Sequence, residues 1–376
     1  MQTIEYVATC LFGLERFLGD EITALGYKRT ETIDGRVSFI GDIAAIPRCN
    51  LWLRCAERLY IKMGSFHAKT FGELFEGTKS LPFEQWIGRE DAFPVKGHSI
   101  KSTLFSIPDC QSIIKKAVAQ RLDDCYGLSW FPETCVKYQI EFFILKDNVT
   151  LMIDTSGTPL HKRGYRQVGG AAPLRETLAA ALVLNSRPRH NVLIWDPFCG
   201  SGTIPIEAAM IMTRRAPGLY RRFISEQFPQ IPKELWAQTR EEAHSLINNN
   251  TPFEAYATDI NQQAVALATF NAKKAGVHSK VRCFTADALT IRTGGRRGTI
   301  VCNPPYGERL FERSQVEQLY AQMGRHFTSL APWQVYILSS HEQFERHYGK
   351  RADKVRKVYN GMIPCYLYQY FKFKKP

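Results

Sequence analysis

Apolar residues at the start of the chain switch between the two-residue repeat of a strand and the three-to-four-residue repeat of a helix. "YVATC" is strand-like, and Leu14, Phe17, Leu18, Ile22 and Leu25 then recur at helical spacing up to Gly26, a helix stop. "RVSFIG" reads as a strand, "IAAIPRCNLWLRC" as a helix and "RLYIKMGSF" as a strand. This β-α-β-α-β order predicts a small α+β unit over residues 1–65.

A second unit is expected over 66–160. "FGELFEGTKSL" looks helical and "AFPVKGHSIKS" extended. "IPDCQSIIKKAVAQRLDDCYG" is amphipathic, with Lys115, Lys116 and Arg121 on its polar side and Gly127 at its end. "VKYQIEFFIL" and "VTLMIDTSG" form a predicted hairpin turning at Asp147-Asn148. The basic segment "LHKRGYRQVGG" leads into a third unit, 161–376, where the rhythm changes. "NVLIWD" is apolar throughout, as a strand buried on both faces requires. "FEAYATD", "KVRCFTAD", "GTIVCN" and "QVYILSS" follow with helical stretches between them, and "VRKVYNGMIPCYLYQYFKF" reads as a hairpin around Asn360-Gly361. The fold class is therefore α/β, a parallel sheet closed by an antiparallel hairpin, preceded by two α+β units.

Composition narrows the function. At 376 residues, 44% hydrophobic and 23% charged, the chain has ordinary globular proportions. No apolar run approaches the roughly 20 residues that span a bilayer, and "MQTIEYVATC" lacks the plan of a secretion signal. Ten cysteines without a C-x-x-C pair or zinc spacing read as reduced thiols, so a cytoplasmic protein without a metal is expected. A net charge of +13 favours a polyanionic partner, with nucleic acid ahead of membrane. Lys69, Lys79, Lys96, Lys101, Lys115 and Lys116 assign much of that affinity to the first 160 residues.

Candidate chemistry sits at strand ends. In "DPFCGSGTIPIEAAMI", Gly200 and Gly202 allow a tight turn and close approach of a ligand, and Ser201 and Thr203 are placed to cap the next helix. No P-loop Gly-Lys-Ser/Thr follows, and an ordinary strand-to-helix loop is the plain alternative. Asp196, Asp259, Asp287 and Asn303 each end a strand-like run, which in a parallel sheet places them along one ligand-binding crevice. Each Asp alone also suits a cap or turn. The 57 positions from Gly202 to Asp259 exceed the usual spacing to a ribose-binding acid, which implies an insertion over about 213–252.

"VCNPPYGERL" (301–310) then ends a strand in two prolines, which neither continue a central strand nor enter a helix interior. A rigid turn is the plain reading. The chemical one is a clamp in which the Asn303 side-chain oxygen and the Pro304 carbonyl accept the two N–H bonds of a base amine while Tyr306 offers a stacking face. Cys302 is expected to point away from Asn303 by strand alternation, which argues against a nucleophilic thiol.

Taken together, "PLHKRGYR", "GGAAPLRETLAAAL", "DPFCGSGT" and "NPPYGERL" resemble the THUMP-domain class I RNA methyltransferases that use S-adenosylmethionine, and most closely the bacterial 23S rRNA guanine-N2 methyltransferases and their tRNA relatives. Members of this family are often labelled N6-adenine-specific DNA methylases, because the Asn-Pro-Pro-Tyr core is shared. The resemblance implies a ferredoxin-like unit at 1–65, a THUMP RNA-binding domain at 66–160 and a Rossmann-like methyltransferase domain at 161–376. It implies that Asp196, Pro197, Cys199, Gly200, Ser201, Gly202 and Thr203 line the methionine end of S-adenosylmethionine. Asp259 and Ile260 would hold its ribose and Asp287 and Ala288 its adenine, with Arg163, Arg166, Pro173 and Leu174 closing the pocket. Asn303, Pro304, Pro305 and Tyr306 would hold the target base, and Arg309 would touch phosphate. The expected substrate is structured RNA, 23S rRNA ahead of tRNA, methylated in the course of rRNA processing by a monomer or weak dimer. N6-adenine methylation of RNA or DNA is the alternative, together with a catalytically silent RNA-binding protein.

Overall fold

Two seven-stranded sheets organise the chain in a computed structural model that describes residues 3–166, 174–306 and 313–372. Pro173 and Arg309 fall outside the described residues. The first sheet holds β1 (Ile4–Cys10), β2 (Lys28–Ile33), β3 (Arg36–Gly41), β4 (Ala56–His67), β5 (Val95–Ile100), β6 (Ile140–Leu145) and β7 (Asn148–Asp154), in the order β2-β3-β1-β4-β7-β6-β5. All its pairs are antiparallel except β5 with β6.

β4 joins what the sequence pattern divides. It pairs with β1 on one side and β7 on the other, so residue 65 lies inside a continuous strand shared by both N-terminal units. β2 is absent from the pattern-based reading. Its sequence "KRTETI" is polar and exposed almost throughout, an edge strand with β3 as its partner and no apolar alternation to mark it. The hairpin between β6 and β7 turns one residue earlier than expected, at Lys146-Asp147, whose φ values of 50° and 64° suit a primed turn. Asp147 side-chain oxygen accepts the Thr103 N–H at 2.6 Å, which holds the tip.

The second sheet holds β8 (Leu193–Asp196), β9 (Ala255–Asp259), β10 (Val281–Thr285), β11 (Gly298–Cys302), β12 (Gln334–Ser339), β13 (Lys354–Asn360) and β14 (Ile363–Tyr370). Their order is β10-β9-β8-β11-β12-β14-β13, parallel through β12 and closed by the antiparallel β14 and β13. β11 shows why these strands are apolar on both faces. Val301 enters one core cluster, while Ile300 and Cys302 enter another with Trp195, Tyr320 and Phe327. Chain order reverses between β8 and β11, which opens a crevice at their carboxyl ends.

The 213–252 insertion fastens the two sheets together. Its Ser225 hydroxyl donates to the Thr155 carbonyl (2.6 Å), its Gly218 N–H to the Leu51 carbonyl (2.9 Å), and its Gln230 amide to the Trp86 carbonyl (2.7 Å). Tyr138 stacks on Phe228 with ring centroids 4.3 Å apart. None of the ten cysteines forms a disulfide, and no helix among the described residues is long and apolar enough to cross a membrane.

Candidate active site

The glycine turn after β8 is built by its backbone. Gly200 and Gly202 have φ of +50° and +80°, a region that costs other residues about 1–2 kcal/mol. A Cβ on Gly202 would stand 2.9 Å from the Ala268 Cβ, so close packing as well as φ requires glycine there. At Gly200 a Cβ would meet nothing within 4 Å, which leaves open space on that side of the turn. Ser201 and Thr203 do not cap the helix Thr203–Met212 as expected. The cap position is Gly202, no side chain bonds to it, and the two hydroxyls bond each other at 3.1 Å. The Ser201 carbonyl accepts the Asn271 amide at 2.9 Å, a support that the sequence reading missed.

The acidic residues draw this turn to the next strand. One Asp259 oxygen accepts the Gly200 N–H and the other the Asn261 N–H, each at 3.0 Å. The Cys199 N–H donates to the Thr258 carbonyl at 2.9 Å. Asp196 is buried and accepts only the Phe198 N–H at 3.1 Å among the described residues. Burial pushes its carboxyl well above the ordinary range, and the nearby Asp259 adds to the shift. Pro197 and Cys199 are buried beside it, and burial also raises the Cys199 thiol. Asp287 lies two residues beyond β10, exposed, with its carboxylate accepting the Leu289 N–H at 2.9 Å, and Ala288 is buried next to it. Ile260 is 75% exposed on the lip after Asp259, an apolar surface suited to a flat ring. The exposed Asp287, the half-buried Asp259, open space at Gly200 and this apolar lip fit a nucleoside with a charged tail.

The clamp follows β11 directly, one strand across from Asp196. Cys302 points into the core, where burial raises its thiol, so it supplies no nucleophile. The Tyr306 hydroxyl donates to the Asn303 side-chain oxygen, and its ring is half-buried. Burial, and then Cys365, push the Tyr306 hydroxyl upward, so it remains a donor. Tyr320, from the helix Arg313–Ser329, donates to the Pro305 carbonyl at 2.9 Å and lies 3.2 Å from the Ser339 hydroxyl. It braces the clamp from below. A tyrosine at apolar helical spacing reads as core in the sequence, and nothing in its local pattern marks this contact.

Arg163 and Arg166 are each held by partners of their own. Arg163 is buried and donates to the Leu160 carbonyl at 2.6 Å and to the Arg54 carbonyl, with Glu207 3.5 Å away. Its guanidinium is committed to the seam between the sheets. Tyr165 donates to the same Glu207 oxygen at 3.1 Å. Arg166 bonds the carbonyl of the buried Leu174 at 2.9 Å and pairs with Glu176 at 2.8 Å.

With this geometry in place, similarity to known proteins is informative. Residues 163–369 match the family described as RMKL-like, methyltransferase domain, residues 5–60 the RlmL ferredoxin-like domain, and residues 68–154 the THUMP domain. YpsC of Bacillus subtilis (strain 168), provisionally named an RNA methyltransferase, is 44% identical over 100% of this chain and 98% of its own. Ribosomal RNA large subunit methyltransferase K/L of Legionella pneumophila (strain Lens) is 33% identical over 96% of this chain. The chain spans only 52% of that protein's length. The crystal structure of SMU.472, provisionally a methyltransferase and complexed with SAH, superposes with a TM-score of 0.93 at 37% identity and covers both chains completely.

Proposed function

The chain belongs to the RMKL-like methyltransferase family, and on that premise we propose that it methylates an exocyclic base amine in RNA, with guanine N2 of large-subunit ribosomal RNA as the target. The observation that carries this reading is the Asn303-Pro304-Pro305-Tyr306 clamp at the end of β11, beside the crevice that Asp196 and Asp259 line. The THUMP match and the RNA-methylating relatives support RNA as substrate, and the SAH bound by SMU.472 supports S-adenosylmethionine as donor. S-adenosylmethionine, when bound, supplies an electrophilic methyl group.

The chain's own residues do the rest. An aromatic amine is a weak nucleophile because its lone pair is delocalised into the ring. Accepting its N–H bonds at the Asn303 oxygen and the Pro304 carbonyl favours a pyramidal nitrogen with its lone pair directed at the crevice. The Tyr306 hydroxyl holds the Asn303 oxygen before the base arrives, and the incoming amine takes its place as donor. The tyrosine ring is then released to stack on the base. Asp259, already fixed to the glycine turn, and Asp287 are placed to receive ribose hydroxyls and the adenine amine.

Nucleoside mass spectrometry of separately purified ribosomal and transfer RNA, from wild-type and deletion strains, tests the proposal. Loss of N2-methylguanosine from the large-subunit RNA is the expected result. Loss from tRNA alone would reassign the substrate, and a loss confined to N6-methyladenosine or to DNA would overturn the guanine reading.

A further inference from the structure

Charge is distributed unevenly along this chain. Residues 1–160 carry 18 lysines and arginines against 20 acids, whereas residues 161–376 carry 31 against 16. The surplus that suits a polyanion therefore belongs entirely to the catalytic half. Part of it gathers in a cavity of about 1020 Å³ on the side of the sheet away from the clamp. Ile194, Thr299 and Gln334, at the beginnings of β8, β11 and β12, form its floor, and the N-terminal helix Glu15–Ala24 forms the opposite wall. Four residues of strand separate Thr299 from Asn303, about 13 Å of rise.

Four of the cations here lack anions. Arg187, Arg189, Arg297 and Lys354 line the cavity, are exposed, and have no acidic partner among the described residues. The acids on the wall are already engaged. Glu21 accepts the Arg54 and Cys55 backbone N–H groups at 3.0 Å, and Asp20 lies 3.8 Å from both Arg16 and Arg29. Two buried donors on the lining are also unsatisfied. Arg356 lies over the Phe17 ring at 5.0 Å with its Nε unpaired, and burial followed by the like charge of Arg16 pulls its pKa down. Gln369, 4% exposed, accepts the Asn185 amide at 2.9 Å and is left with its own Nε2 donor unpaired. Unpaired donors beside uncompensated cations define a site for an acceptor-rich anion.

We propose that this cleft seats the phosphodiester backbone of the RNA substrate, at a segment remote from the target nucleotide. The inference rests on the RNA-methylating reading above and adds a second point of attachment to it. Backbone binding here carries no base readout and sets how the RNA lies across the molecule.

The test uses the full chain with Arg187→Gln, Arg297→Gln and Lys354→Gln combined. All three side chains are exposed, so an unchanged melting temperature and unchanged affinity for S-adenosylhomocysteine establish that the variant is intact. Filter binding to unmodified large-subunit ribosomal RNA transcribed in vitro is measured across salt concentrations. Removing three phosphate contacts should flatten the slope of log K against log salt by about 2–3 and weaken binding at least about tenfold near 0.1 M salt. An intact variant with wild-type affinity and slope overturns the proposal. Saturation of the cleft by inorganic pyrophosphate without competition against RNA would identify a small-anion site and likewise overturn it. A wild-type chain that binds S-adenosylhomocysteine but no RNA would break the RNA reading itself, an outcome distinct from parity between variant and wild type.

Discussion

The two sheets show opposite uses of charge. In the N-terminal sheet, lysines expected to meet RNA are partly neutralised at home. Lys79 pairs with Asp124 at 2.9 Å, Lys96 with Glu141 at 3.5 Å, and Lys115 with Glu133. Lys69, Lys101 and Lys116 remain exposed without an acidic partner among the described residues. In the catalytic half, cations outnumber acids about two to one, and four of them share one cleft without a counterion. Counting lysines in a segment therefore misjudges its attraction for nucleic acid, because an ion pair removes the charge that would displace counterions.

The comparison can be broken at several points. The largest effect is expected for Asn303→Ala, because it removes the acceptor that we propose holds the base amine. Methyl transfer should fall about 10²–10³-fold while affinity for S-adenosylhomocysteine stays within a few-fold. Turnover comparable to wild type would move the chemistry elsewhere in the molecule. Arg163→Ala tests the seam between the sheets. Removing one partner of a buried ion pair costs about 3–5 kcal/mol, and calorimetric unfolding should shift down and separate into two transitions. A single unshifted transition would show that the sheets are held together by other contacts.

A smaller effect should follow from Lys69→Gln, Lys101→Gln and Lys116→Gln combined. RNA affinity should decline less than in the variant of the back cleft, measured in the same filter assay. An equal or greater loss would reverse the ranking of the two halves. The smallest effect concerns pH. Burial raises the Asp196 carboxyl in the free protein, and a ligand ammonium beside it would favour its ionised form. Binding then releases a proton, so S-adenosylhomocysteine affinity should rise with pH through the range where Asp196 titrates and level off above it. Calorimetry in buffers of different ionisation enthalpy reads that proton, and identical heats would remove Asp196 from contact with the ligand.

Much of this was legible in the sequence because it depends on periodicity and punctuation. The buried strands β8 and β11 appear as apolar runs, the glycine turn as "CGSG", and the crevice as polar residues recurring at strand ends. Elements without an apolar period of their own, and contacts made only by the folded chain, were not legible. β2 has no apolar face to reveal it, and Tyr320 acquires its role only when the chain returns it to Pro305, 15 positions away. Ser201 and Thr203 look like caps, but Gly202 in the left-handed region takes the cap position. The Tyr306–Asn303 bond was also out of reach, since both residues were assigned to the base rather than to each other.

The 213–252 insertion has a consequence for how substrates are chosen. Its bonds to Leu51, Trp86 and Thr155 tie both N-terminal units to the catalytic sheet by packed contacts. A molecule so fastened behaves as a fixed gauge. An RNA that grips the N-terminal sheet can present to the clamp only a nucleotide lying at the matching distance and angle. Selection of one nucleotide among many of the same kind then becomes a measurement of length, made by the body of the enzyme.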